Sequence, residues 1–186
     1  MASKIYGSCD LVDVNFDGGA RLTLIDGPLQ LGWKHSGITS DFIAEVMAMP
    51  FASRKDSYND VHHSISYLTN ELIENAVKFR LPAEIKIEAC LGDAEFLLRV
   101  RNPIDPETSS VFQRKLDQIL DDNPGDLLIQ QIEANALSDG STSGLGLLTL
   151  LSDYGAKMTW EFCPHEMDSV MLTTTAAVAV PLTSNL

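Results

Sequence analysis

The hydrophobic period changes abruptly at Pro82, and no other feature limits the architectures open to this chain as much. Upstream, Val61, Ile65, Leu68, Leu72, Ala76 and Phe79 recur at spacings of three and four residues, the mark of one buried helix face. Proline removes a backbone donor and biases the residue before it towards extended geometry. This helix, beginning around Asp56–Asp60, must therefore end before Pro82. Downstream, Ile85, Ile87 and Ala89 alternate with Lys86 and Glu88, and Phe96, Leu98 and Val100 alternate beyond Gly92-Asp93. Period two on both sides of a turn predicts a hairpin. A long amphipathic helix beside a half-buried hairpin predicts a helix layer packed on a sheet.

The rest of the chain fits that frame. Residues 11–34 hold apolar runs broken by Asp17-Gly18-Gly19 and Asp26-Gly27-Pro28, which predict short antiparallel strands. Thr39 or Ser40 can cap a helix carrying Phe42, Ile43, Val46 and Met47, stopped near Pro50. Helical segments are expected at about Ser110–Leu120 and Asp126–Leu137, followed by the polar loop Ser138–Gly144 and a short apolar helix to Tyr154. Two strands, Lys157–Cys163 and Ser169–Pro181, close the chain around a turn at His165–Asp168. Neighbouring strands read as hairpins, so the expected class is α+β. It is a two-layer α/β sandwich with helices on one face of a mixed sheet, not a doubly wound parallel fold.

Composition narrows the function classes. With 186 residues the chain makes a single domain, 1–186, large enough to bury a core without disulfides or metals. A net charge of −13 argues against a nucleic-acid partner, whose phosphates would repel it. No apolar run approaches a membrane span and MASKIYGSCD lacks a signal-peptide core, so the expectation is a cytoplasmic protein with no membrane partner. Cys9, Cys90 and Cys163 are odd in number and far apart, as expected of reduced thiols.

On the long helix Glu71, Asn75 and Lys78 fall on a second stripe beside the core face, whereas Glu74 lies far round on the wet side. A carboxylate one turn from a carboxamide can orient or deprotonate a hydroxyl while the amide oxygen ligates Mg²⁺. Taken alone, the pair fits a solvated helix face equally well. Further on, Gly140-Ser-Thr-Ser-Gly-Leu-Gly-Leu-Leu-Thr-Leu-Leu151 runs a polar loop into an apolar helix, with Gly144 and Gly146 leaving amides uncovered at its start. Free N–H groups at a helix start favour phosphate. An ordinary connection capped by Ser143 has the same appearance, and neither GxxxxGK[ST] nor GxGxxG after a strand is present.

The stretch Asn70-Glu-Leu-Ile-Glu-Asn-Ala-Val-Lys-Phe79 resembles the N box of the GHKL superfamily, which includes gyrase-type ATPases and sensor histidine kinases. The closest likeness is to the serine protein kinases that act as anti-sigma factors in bacterial partner switching. Ser143-Gly-Leu-Gly-Leu-Leu-Thr-Leu150 is similar to their second glycine box, where an ATP lid ends. The likeness runs from about Tyr58 to Val180; residues 56–181 would be the ATP-binding core, and 1–55 the N-terminal strands and helix.

That resemblance implies a Bergerat-type ATP-binding fold, ATP and Mg²⁺ as cofactors, Glu71 as the base and Asn75 as the Mg²⁺ ligand. Lys78 and the backbone of Ser143, Gly144, Leu145 and Gly146 would steady the phosphates. It implies transfer of the γ-phosphate to Ser or Thr of a small partner, an antagonist of the STAS type or a sigma-factor-like regulator. A homodimer is compatible with it. One motif departs: where the family has DxGxG, with Asp accepting from the adenine amino group, this chain reads Arg101-Asn102-Pro-Ile-Asp-Pro106. Asn102 replaces the Asp and two prolines stiffen what is expected to be a loop. A binding module that holds a partner without phosphoryl transfer is the alternative, and Ser138–Gly144 is expected to be a lid ordered by triphosphate.

Other polar residues have plainer readings. His62-His63 are expected near the surface, not as a phosphoacceptor, and Cys163 with His165 as a strand end and turn. Met47 with Met49 and Trp160 with Phe162 fit core packing, and the acidic run Asp117–Asp122 a solvated helix end.

Overall fold

The computed structural model describes residues 3–25, 33–137, 144–166 and 168–182. Its elements run β1 (Lys4–Gly7), β2 (Ala20–Leu24), α1 (Trp33–Ala48), α2 (Lys55–Phe79), β3 (Ile85–Leu91), β4 (Glu95–Ile104), α3 (Pro106–Asp121), α4 (Pro124–Leu137), α5 (Leu145–Ser152), β5 (Lys157–Pro164) and β6 (Val170–Ala179). The strands form one six-stranded sheet in the order β1-β5-β6-β4-β3-β2. The α+β sandwich is the expected one. The sheet, expected to be mixed, is antiparallel at every described pairing, because β6 folds back from β5 and inserts beside β4.

One face of the sheet carries the core. Ile85, Ile87 and Ala89, then Phe96, Leu98, Val100 and Ile104, then Met158, Trp160 and Phe162, and Leu172, Ala176 and Val178 are all buried there. Against them α2 lays Val61, Ile65, Leu68, Leu72, Ile73 and Ala76. The stripe is wider than the sequence pattern suggested: Ile73 joins it, whereas Phe79, expected in the core, is 44% exposed. Phe79 is the final helical residue, and the chain turns extended at Arg80, two residues before Pro82.

Helix starts follow local chemistry. Asp105 caps α3, accepting from the Thr108 amide at 2.9 Å, and Pro106 takes the first helical position, where no donor is needed. Asn123 does the same for α4, accepting from the amides of Gly125 (2.9 Å) and Asp126 (3.2 Å) ahead of Pro124 in sequence order. The first helix corrects the sequence reading: α1 begins at Trp33, so Thr39 and Ser40 lie inside it. Ser40 does not cap; its hydroxyl donates back to the Gly37 carbonyl at 2.8 Å. Ile43, Ala44, Met47 and Ala48 are buried apolar residues of that helix, whereas its Phe42 and Val46, and Met49 just beyond it, are exposed. Strand β1, absent from the sequence reading, pairs with β5 at the sheet edge.

The opposite face of the sheet is clasped by the N-terminal segment. Leu11 and Phe16 are buried there, and the guanidinium of Arg99 donates to Thr175 Oγ1 (3.1 Å) and to the carbonyls of Val12 and Val14 (both 3.2 Å). It also lies 4.6 Å from the centre of the Phe16 ring. Among the described residues, no helix is long and apolar enough to cross a membrane.

Arg99→Ala strands two segment carbonyls and uncovers Phe16. It is expected to lower the unfolding free energy by about 2–4 kcal/mol. Arg21→Ala, whose side chain is 64% exposed in its pair with Glu88, should cost less than about 1 kcal/mol. Urea denaturation of the two variants checks the contrast.

Candidate functional site

A cavity of about 400 Å³ opens between α2, α3 and α5 over the helix face of the sheet. Its floor is Val100, Ile104, Met158, Trp160 and Leu172, a dry apolar surface supplied by β4, β5 and β6. Glu71, Asn75, Lys78, Asn102, Gly144 and Gly146 all line it, which joins residues drawn from three places in the chain. The helical spacing brings the first three together, one turn apart on the flank of α2, with Asn75 and Lys78 exposed at the mouth. Lys78 lies 5.1 Å from the centre of the Phe79 ring. Among the described residues, no side-chain hydrogen bond engages Glu71 or Asn75.

Glu71 sits deepest of the three. A β-carbon placed on Gly146 would fall on the Glu71 carboxyl, so any larger residue there would require this carboxyl to swing aside. Burial, and secondarily the charge of Glu74, push the Glu71 carboxyl above the usual carboxylate range. Glu74 is not purely a wet-face charge: it is half-buried and accepts from Asn70 at 3.1 Å. Gly144 opens α5 with φ +96°, a left-handed conformation suited to glycine. Leu145, between the two glycines, packs instead into a small cluster with Ile119, Leu128 and Leu148. Ser143 and the rest of the expected lid, Ser138–Ser143, lie outside the described residues.

Asn102 is not in a loop. Strand β4 continues to Ile104, and Asn102, opposite Leu172 on β6, is 3% exposed with its amide nitrogen buried and unpartnered. Pro103 is tolerated in the strand because its carbonyl already takes the Leu81 amide on that side, where β3 has ended. The stiffness of Pro103 and Pro106 therefore serves a strand end and a helix start.

Lys115 escaped the sequence reading. Thr108, Phe112, Lys115 and Ile119 share one face of α3, so a lysine interrupting an apolar stripe was the available signal. Its stem is exposed, but its ammonium reaches the cavity, 3.1 Å from where a β-carbon on Gly144 would stand. Burial and the nearby Lys78 lower its pKa. Two lysines therefore face one glycine-lined opening without a carboxylate pairing either of them among the described residues.

The remaining candidates fall outside the cavity. His62, half-buried, lies 3.5 Å from Glu45 of α1, and His63, exposed, meets the Tyr154 hydroxyl at 3.0 Å. Cys163 and His165 stand at the β5–β6 turn, and no group of three or more His, Cys, Asp or Glu among the described residues could hold a metal ion. Met47 and Phe162 are core residues, Met49 is not, and Trp160 is both core and cavity floor.

No family model and no curated protein sequence matches the chain. A chain in the crystal structure of the SiaB–SiaC complex from Pseudomonas aeruginosa is similar in structure, with a TM-score of 0.53 over 86% of this chain and 89% of that one. Their sequences are 10% identical. The likeness is one of fold.

Because the folded Glu71 pKa exceeds its unfolded value, the native state holds more protons in the window between the two. Stability is therefore greatest below that window and falls as pH rises through it. Urea midpoints from about pH 4 to pH 7 should drop less steeply in Glu71→Gln than in the parent, leaving the variant more stable at neutral pH. Parallel profiles would show that this carboxyl is not desolvated.

Proposed function

We propose that this chain is an ATP-binding regulatory protein of the GHKL type that transfers the γ-phosphate to a seryl or threonyl hydroxyl of a small partner protein. The observation carrying this reading is the convergence of Glu71, Asn75, Lys78, Lys115, Asn102 and two glycines on one cavity. An apolar floor suits a purine, and two unpaired ammonium groups beside uncovered amides suit phosphates. A neighbour in fold that was crystallised as a two-protein complex supports a protein partner.

In this mechanism the attacking hydroxyl oxygen forms a bond to the γ-phosphorus while the bond to the bridging β–γ oxygen breaks, and ADP leaves with the electron pair. Glu71 accepts the hydroxyl proton. Its raised pKa brings it nearer to the working pH and makes it a better base than an exposed carboxylate. Lys78 and Lys115 offset charge on the phosphates from opposite sides of the opening. Mg²⁺, when bound, would supply positive charge that neutralises charge developing on the phosphates. Asn75, an unpartnered carboxamide at the mouth, fits the single protein ligand that this ion needs beside phosphates and waters.

A binding module that sequesters its partner without chemistry is the second reading. It is favoured by the Glu71 carboxyl lying against Gly146, in the space where a phosphate would otherwise approach the amides. Calorimetry with Mg-ATP and release or transfer of label from γ-labelled ATP separate the two. Asn75→Ala and Lys115→Ala are each expected to weaken Mg-ATP binding about tenfold, the loss of one charge-assisted or metal-mediated contact. Glu71→Ala should leave affinity within about twofold and cut turnover by about 10²–10⁴. Tight binding with no turnover in the parent, or partner binding at one affinity with and without ATP, would favour the sequestering module.

A further inference from the structure

Two open features meet on one side of the sandwich. Strand β2 ends the sheet, so its outer edge has no strand partner among the described residues. Such an edge is a template for another strand. Helix α1 packs beside α2 and above β3, which places it over the same side of the sheet. Its core side carries Ile43, Ala44, Met47 and Ala48. Its α2 side carries Asp41, which accepts from Ser66 at 3.1 Å, and Glu45, which accepts from Tyr58 at 2.7 Å. The side left over is a stripe of Ile38, Phe42 and Val46, four residues apart, with Met49 just beyond the helix. These four are between 43% and 72% exposed, and Ile25, which follows β2, is 64% exposed. A contiguous apolar stripe of this kind marks an interaction surface.

The charge pattern of this side suits a second copy of the chain. A molecule of net charge −13 repels its own copy over most approaches. Here the two carboxylates of α1 are turned onto α2, and β2 reads Ala20-Arg21-Leu22-Thr23-Leu24, with no acid at all. Antiparallel pairing of β2 with β2 of a copy needs a two-fold axis at the strand. Like faces meet only when that axis passes through a residue and not between two. Through Arg21 it would set two guanidinium groups opposite each other, which is unfavourable. Through Leu22 it pairs all five strand residues, Leu22 with itself, Ala20 with Leu24 and Arg21 with Thr23. The same axis brings the α1 stripe towards its own copy. Another partner would need both a strand edge and an apolar helix at this one offset; a second copy has both.

We propose that the chain forms a two-fold dimer through β2 and α1, joining two six-stranded sheets edge to edge. A stable dimer takes about 800 Å² from each partner. The strand edge, about 17 Å long, and the helix flank, about 24 Å long, are both needed to reach it. The assembly is independent of what fills the cavity.

Sedimentation velocity of the full chain at tens of micromolar should give twice the 20.3 kDa of one chain. Raising NaCl from about 50 mM to about 500 mM should tighten the dimer, because salt screens the repulsion between acidic copies and spares apolar contact. Phe42→Glu should weaken it by about a hundredfold or more, whereas Ile129→Glu, an exposed site on α4, should leave it unchanged. The register is read by mixing Arg21→Cys with Thr23→Cys, each carrying Cys9→Ser to remove an exposed thiol, and oxidising. A disulfide between chains is expected in the mixture and in neither variant alone, since like positions stand too far apart. A monomer throughout, a dimer that persists in Phe42→Glu, or a dimer that forms no cross-link in the mixture would overturn the proposal. The cross-link leaves α1 untouched, so it decides the matter even where Phe42→Glu fails to fold.

Discussion

Everything around the cavity is positioned by the packing of α2 across β4 and β6. The apolar stripe from Val61 to Ala76 fixes the rotation of the helix about its own axis, because turning it by one residue would bring polar groups onto Leu98 and Val100. Once that rotation is fixed, the flank carrying Glu71, Asn75 and Lys78 has one direction to face. On that flank the Glu71 carboxyl rests over Gly146, in space that a side chain there would contest. Burying apolar surface thus orients the polar groups.

What could be read from the residues follows from this dependence. The stripe, the hairpin and the final strand pair are short-range patterns, repeated every few positions, and each has a single way to be buried. The flank beside the stripe was legible for the same reason. The start of α1 was not, because Ser40 satisfies itself within the helix and looks like a cap from sequence alone. From sequence Asn102 falls in a loop because two prolines stand nearby, yet one sits where β3 has ended and the other where a helix needs no donor. Lys115 depends on how α3 lies over the sheet, a relation between elements that no local period encodes.

The cavity also runs against the charge of the molecule. The chain carries a net charge of −13, yet Lys78 and Lys115 face this opening without paired carboxylates among the described residues. Keeping two ammonium groups close together and partly desolvated costs stability, and the lowered Lys115 pKa is that cost expressed as proton affinity. An anion between them would relieve both repulsion and desolvation. With Glu71 and Glu107 also in its lining, the cavity is balanced in charge where the protein as a whole is strongly acidic.

The cavity is walled by the main core and borders a second, smaller packing unit at Leu147. Helix α2 and the floor are part of the main core, whereas α4 joins only the lesser cluster of Ile119, Leu128 and Leu148, with Leu145, Leu147 and Leu151 around it. Leu147 touches both units and lines the cavity between them. Such a small cluster can loosen at a lower free energy than the sheet core, since it has far less apolar surface to expose. Leu147 is the point at which the cavity wall meets that softer unit. A single leucine thus stands with one side towards the site and the other towards the packing of α4, a helix that does not itself reach the cavity.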